Sequence, residues 1–109
     1  MIKGTGIDIE SISRFERLPY GKNRKFYNKI YTQQEIAYCL KKKEPAQHFA
    51  ARFSAKEAFI KAFPGKISDY RKIEITMRKS KPVISWKRMK VHLSLSHEKD
   101  KAVAIVVIE

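Results

Sequence analysis

The sequence contains a single cysteine, Cys39, set in the apolar stretch Ile36-Ala37-Tyr38-Cys39-Leu40. With no second thiol it forms no intrachain disulfide and no cysteine-based metal cluster, and it reads as a small core residue in a reducing, cytoplasmic setting. Long hydrophobic runs are missing too. No stretch approaches the roughly 20 apolar residues that span a bilayer, and the opening Met1-Ile2-Lys3-Gly4 lacks the apolar core of a secretion signal, so no membrane partner is expected. There is no HExxH, no GxSxG and no P-loop lysine motif, which leaves zinc hydrolysis, nucleophile-elbow chemistry and conventional nucleotide hydrolysis without support. Repeats and low-complexity linkers are also absent. A chain of 109 residues has length for one core only, so residues 1–109 read as a single small domain. Such a domain encloses a deep cleft with difficulty, which favours a site shared between subunits.

Acidic residues are scarce. Against 24 Lys and Arg there are 11 Asp and Glu, a net charge of +13. A surface of this kind attracts polyanions, and a nucleic acid, an acidic protein or a multiply phosphorylated nucleotide all satisfy the electrostatics.

What is present is an ordered run of elements. Residues 1–9 read as a strand in which Ile7 and Ile9 share one face and Asp8 points to the other, with Gly4 and Gly6 allowing close backbone approach. Ser11 or Ser13 caps a short helix carrying Ile12, Phe15 and Leu18, which Pro19-Tyr20-Gly21 ends. Thr32-Gln33-Gln34-Glu35 is a capping box that starts a helix at Gln33, running to the Lys41-Lys42-Lys43 cluster. Residues 46–63 form the longest helical pattern, stopped by Pro64-Gly65, with Phe49, Phe53 and Ile60 as its apolar stripe. Strands follow at 72–78, 82–86, 91–96 and 102–108, the last nearly all apolar like a central strand, and Ser96-His97-Glu98-Lys99-Asp100 turns the final hairpin. One strand, then helices, then a meander predicts an α+β fold with helices packed on one side of a mainly antiparallel sheet.

Four residues are out of place in that pattern. Glu57 falls on the apolar stripe of the long helix, where a carboxylate costs several kcal/mol unless paired; Lys61, one turn later, offers an ordinary i,i+4 pair. Asp8 stands in a strand, which disfavours aspartate, although it can also cap the helix that follows. Glu10 lies two residues on, on the same side of an extended backbone. Together Asp8, Glu10 and Glu57 form a candidate acidic site in a basic protein, the hard-oxygen set that Mg2+ takes when water and phosphate complete its shell. His97 follows Ser94 and Ser96 where hydroxyl, imidazole and backbone N–H groups can meet a phosphate, or is simply a solvated hairpin histidine.

Three blocks then show a resemblance. Gly4-Thr5-Gly6-Ile7-Asp8-Ile9-Glu10, the run Arg52-Phe53-Ser54-Ala55-Lys56-Glu57 continuing to Lys61-Ala62-Phe63, and His92-Leu93-Ser94-Leu95-Ser96-His97 are similar, in order, to the motifs of the holo-acyl-carrier-protein synthases, the short class of phosphopantetheinyl transferases. The resemblance implies Mg2+-dependent transfer of 4'-phosphopantetheine from coenzyme A to a serine of an apo acyl carrier protein, releasing adenosine 3',5'-bisphosphate, in the service of fatty acid synthesis. It also implies a trimer with coenzyme A between protomers. By the same resemblance Asp8 and Glu57 hold the metal with Glu10 as a further ligand, Lys61 lies at the diphosphate, and Arg52, Lys56, Ser96 and His97 lie at the coenzyme. Arg14 matches a carrier-contact position, and the charge of Arg17, Lys22, Arg24 and Lys25 extends that patch toward an acidic partner helix. Pro64-Gly65-Lys66 replaces the family's usual Gly-Thr-Gly loop, Ser80-Lys81-Pro82 stands where Gly-Lys-Pro is usual, and several intervening residues are missing, so loop contacts differ. A basic nucleic-acid-binding domain stacking bases on Tyr27, Tyr31, Phe53 and Trp86 remains the rival, with a non-catalytic scaffold for an acidic partner as a third reading.

Overall fold

Two glycines on one side of the first strand, β1 (Gly4–Ser11), decide how the molecule packs. In the structure, a computed structural model describing all of Met1–Glu109, the long helix α4 (Pro45–Ala62) lies directly on them. A Cβ at Gly6 would stand 2.0 Å from the Ala58 carbonyl oxygen, and one at Gly4 would stand 1.8 Å from that of Ala62. Only glycine admits the helix backbone so closely. Since side chains alternate across a strand, Asp8 and Glu10 fall on this same helix side. Ile7 and Ile9 fall on the other, 61% and 60% exposed. The alternation read from the sequence holds, but the inward face of β1 is the glycine and carboxylate face.

Between β1 and α4 come α1 (Ile12–Glu16), a 3-10 turn (Tyr20–Lys22), α2 (Arg24–Ile30) and α3 (Gln33–Leu40). Ser11 occupies the N-cap position of α1 without capping it; its hydroxyl meets that of Ser13 instead, at 2.9 Å. The capping box of α3 is complete, with Thr32 and Glu35 bonding each other's backbone N–H groups. After α4 a 3-10 turn (Tyr70–Lys72) leads to β2 (Ile75–Arg78), β3 (Lys81–Ile84), β4 (Val91–His97) and β5 (Lys101–Ile108).

The strands form two sheets rather than one. β1, β5 and β4 make an antiparallel sheet with β5 central, while β2 and β3 stand apart as a hairpin. The final turn is shorter than the sequence pattern suggests: β4 continues through His97, and the Glu98 N–H closes the turn on the Lys101 carbonyl at 2.8 Å. Helix α4 is not a one-striped helix. Phe49 and Phe53 are buried as expected and Ile60 is half-buried, but Ala50, Ala51, Ser54, Ala55, Ala58 and Ala62 are buried as well. Small residues let the sheet approach one side while α1 and α3 cover the other. The core divides accordingly, into an aromatic cluster around Phe15, Tyr27, Tyr31 and Phe49 and a second one in which Ile73, Val106 and Ile108 pack with Phe59. No helix is long and apolar enough to cross a membrane.

Candidate active site

The seam where α4 crosses β1 collects the acidic residues. The Ser54 hydroxyl donates to the Asp8 carbonyl at 2.8 Å, pinning strand to helix beside the Asp8 side chain. One carboxylate oxygen of Asp8, Oδ1, lies 3.6 Å from Lys61 Nζ, and Lys61 also donates to the Ile7 carbonyl at 2.9 Å. The other oxygen, Oδ2, is buried with no partner. A buried carboxylate oxygen left without a donor is costly. Glu57 makes no pair with Lys61, so the plain i,i+4 alternative is not what forms; Glu57 Oε2 instead accepts from the Tyr70 hydroxyl at 2.8 Å. Burial, together with the Glu57 bond, pushes the Tyr70 phenol up to about 12, so it stays a donor at neutral pH.

Glu10 stands next to Asp8 and 3.5 Å from Arg14 Nη1. Burial pushes its carboxyl up to about 7, a side-chain hydrogen bond to Asp8 and the charges of Asp8 and Glu57 add to the rise, and Arg14 opposes it. A group whose folded value is raised contributes stability that is complete below its ordinary range and lost as pH rises through the folded value. In the absence of divalent cations, the melting temperature of the chain relative to a Glu10→Gln variant is therefore expected to fall as pH is raised from about 4.5 to about 7. Adding Mg2+ at pH 7 is expected to reduce that difference. Circular dichroism melts of both proteins across that range check it.

No group of three His, Cys, Asp or Glu side chains is placed to hold a metal ion between them. The residues nonetheless fit a magnesium ion of the open kind. Mg2+ keeps several waters and uses one or two carboxylates plus substrate phosphate, and the orphaned Asp8 Oδ2 is an oxygen in need of a positive partner.

Two basic residues of the helix are not where the motif reading puts them. Lys56, expected at the coenzyme, is wholly buried: its ammonium bonds Glu35 Oε1 at 2.8 Å, the Ile30 carbonyl at 2.8 Å and the Tyr70 carbonyl at 3.0 Å. All three donors are used, and none is left for a phosphate. Burial draws Lys56 below its ordinary range while Glu35 opposes the shift. Arg52 is 3% exposed, with its guanidinium 4.2 Å from the Tyr38 ring centroid and Nη2 3.6 Å from Met77 Sδ, while its Nε is buried without a partner.

Ser96 and His97 are successive residues of β4, so they project to opposite faces of the sheet. One protomer cannot bring both to the same phosphate. The His97 ring contacts the Gln47 side chain in the first turn of α4, Nε2 to Nε2 2.8 Å. The basic patch spreads over three short elements rather than one helix. Arg14 lies 5.3 Å from the Phe53 ring centroid and Arg24 5.4 Å from that of Tyr20, Arg17 leans 3.5 Å from the Ser13 hydroxyl, and Lys22 and Lys25 are exposed. Of the aromatics that a nucleic-acid domain would stack bases on, Tyr27, Tyr31 and Phe53 are buried, and the half-buried Trp86 packs on Phe59 and Phe63 with centroids 5.1 and 5.3 Å away.

Tyr70, Glu35 and Gln47 escaped the sequence reading. Glu35 was visible only as a cap, and a tyrosine in a loop carries no local signal of the carboxylate it will meet.

Comparison with known proteins places this geometry. Residues 4–107 match the family described as the 4'-phosphopantetheinyl transferase superfamily. The whole chain is 40% identical to the holo-[acyl-carrier-protein] synthase of Geotalea daltonii, covering 99% of that protein. It is 42% identical to that of Chloroherpeton thalassium over 95% of both chains. The fold is similar to the crystal structure of a holo-(acyl-carrier-protein) synthase from Bacillus anthracis in complex with CoA (3',5'-ADP), with a TM-score of 0.85 at 36% identity over 99% of this chain and 96% of that one. A Helicobacter pylori holo-[acyl-carrier-protein] synthase in complex with coenzyme A gives 0.83 at 29% identity, over 96% and 99%.

Proposed function

The chain belongs to the 4'-phosphopantetheinyl transferase superfamily and, within it, to the holo-[acyl-carrier-protein] synthases, and from that premise we propose that it moves 4'-phosphopantetheine from coenzyme A to a serine of an apo acyl carrier protein, with Mg2+, for fatty acid synthesis. The single observation that carries the site assignment is Asp8 Oδ2, a buried carboxylate oxygen with no donor, at the seam of β1 and α4. Asp8 and Glu57 would hold the metal, with Glu10 beside them. When bound, Mg2+ supplies neutralisation of the charge that grows on the departing phosphate.

The chain's own residues supply the rest. Glu57, directly or through water, takes the proton of the carrier serine hydroxyl as its oxygen attacks the pantetheine-side phosphorus. The bond from that phosphorus to the bridging oxygen breaks, and adenosine 3',5'-bisphosphate leaves. Lys61, more than half exposed, offers its ammonium to the diphosphate oxygens. His97, on the helix side of β4, turns its ring to the 3'-phosphate by leaving Gln47, and Arg52 joins the coenzyme only by leaving Tyr38. Arg14, Arg17, Lys22, Arg24 and Lys25 present the surface to an acidic carrier helix.

The outer face of the three-stranded sheet supports a homotrimer of these single domains. Ile7, Ile9 and Ile105 stand exposed there side by side, a contiguous apolar patch of the sort that another copy covers. Ser96 lies on that face, opposite Val103, which pairs on its other side with Ile9, so it serves a coenzyme only across the interface.

Incubation with coenzyme A, MgCl2 and an apo fatty-acid carrier protein is expected to add the mass of one phosphopantetheine to the carrier. Asp8→Asn and Glu57→Gln are each expected to lower the rate by at least about 100-fold. No mass gain with any such carrier, or full activity in both variants, would overturn the assignment. Light scattering is expected to give a trimer for the native chain and a smaller species for Ile9→Asp.

A further inference from the structure

Tyr70 lies outside every motif, yet it is held from three sides. Its ring packs against Phe53, with centroids 5.7 Å apart. Its carbonyl accepts from the buried ammonium of Lys56 at 3.0 Å. Its hydroxyl, the only end left free by these contacts, donates to Glu57 Oε2 at 2.8 Å. Lys56 and Glu57 are consecutive in α4, so their side chains leave the helix about 100° apart. Tyr70 bridges that angle, taking one residue through its main chain and the other through its phenol.

The anchor behind it is rigid. Lys56 is clamped by Glu35 Oε1 at 2.8 Å, and the same carboxylate accepts from the Thr32 N–H at 2.9 Å and the Ile75 N–H at 2.8 Å. The position of the Tyr70 main chain is thereby tied to the start of α3 and to β2. A glutamate on a helix otherwise samples several rotamers and a freely turning carboxylate. Here one oxygen is fixed by a neutral donor, which orients the group without placing a positive charge beside it. Asp8 is treated differently, with the Lys61 ammonium 3.6 Å from Oδ1.

We propose that Tyr70 is a positioning residue that holds the Glu57 carboxylate in the orientation in which its free oxygen takes a divalent cation. This rests on the reading of Glu57 as a metal ligand. Partners of this kind behind a ligand typically change metal affinity by about 10–100-fold when removed. Tyr70→Phe deletes the donor and keeps the ring on Phe53.

The test is Mn2+ binding to the chain without coenzyme, followed by electron paramagnetic resonance of free Mn2+, with Tyr70→Phe and Glu57→Gln in parallel. Tyr70→Phe is expected to weaken Mn2+ binding by about 10-fold, and Glu57→Gln is expected to weaken it further, with no added effect of Tyr70→Phe in the double variant. In turnover, Tyr70→Phe raises the Mg2+ concentration for half-maximal rate by a similar factor; a general structural loss would lower kcat and leave the metal dependence alone. Native Mn2+ affinity in Tyr70→Phe beside loss in Glu57→Gln overturns the positioning role. Native affinity in Glu57→Gln overturns the ligand reading instead.

Discussion

Replacing Gly6 with alanine is expected to slow phosphopantetheine transfer by about 100-fold or more, although no charged residue of the site is replaced. The added Cβ would stand 2.0 Å from the Ala58 carbonyl oxygen and 3.0 Å from the Ala62 nitrogen. Both are backbone atoms of α4, which no rotamer change can move aside. The helix must withdraw by about 1 Å or more to reach ordinary contact, and overpacking of this kind costs about 1–3 kcal/mol. Asp8 rides on β1 while Glu57 and Lys61 ride on α4, so the same withdrawal widens the site, and a 1 Å error in placement costs about 100-fold in rate. Gly21→Ala is the control, because nothing lies within 4 Å of a Cβ there. Steady-state rates and melting temperatures of the two variants decide the matter; activity within threefold of native in Gly6→Ala would refute it.

The second large effect is on stability. Lys56→Met removes the ammonium that neutralises Glu35 in a pair whose side chains are both fully shielded from solvent. Stranding one partner of a buried pair costs about 3–5 kcal/mol, a large part of the 5–15 kcal/mol that typically holds a domain together. The Ile30 and Tyr70 carbonyls lose their donor in the same step. Adding Glu35→Gln to Lys56→Met removes the stranded charge, so the double variant should lose less than the two single losses summed. Urea unfolding of the four proteins gives the coupling directly, and strict additivity would show that the pair is not the source of the loss.

These two positions also mark what a reader of the sequence can and cannot see. The glycines announce a close approach, and the capping box announces the start of α3 at Gln33, because both signals are local. Which side of β1 the helix would choose was not local. Ile7 and Ile9 look like the core face by hydrophobicity, yet α4 can lie flat only where side chains are absent, so the glycine side went inward and took Asp8 and Glu10 with it. Alanines gave α4 burial well beyond one stripe, which a stripe of phenylalanines conceals. Lys56 stands in a motif beside Glu57, but its fate depends on Glu35, 21 residues earlier, whose capping oxygen Oε1 also accepts the ammonium. The site carboxylates stood out because a charge on an apolar pattern is anomalous anywhere, whereas Tyr70 in a loop breaks no pattern.

The pairing of β1 with β5 sets Asp8 opposite Ala104, and this has a consequence in time. A chain emerging from the ribosome at about 5–20 residues per second has made the first carboxylate of the seam almost at the outset. It has no strand to pin that residue in place until the final stretch of these 109 residues appears. Helices can form early, but the seam that gathers Asp8, Glu57 and Lys61 closes last, after nearly the full loop between the paired strands has been drawn shut. A nascent chain is thus expected to bind no metal and modify no carrier, and the activity switches on only after synthesis has passed β5.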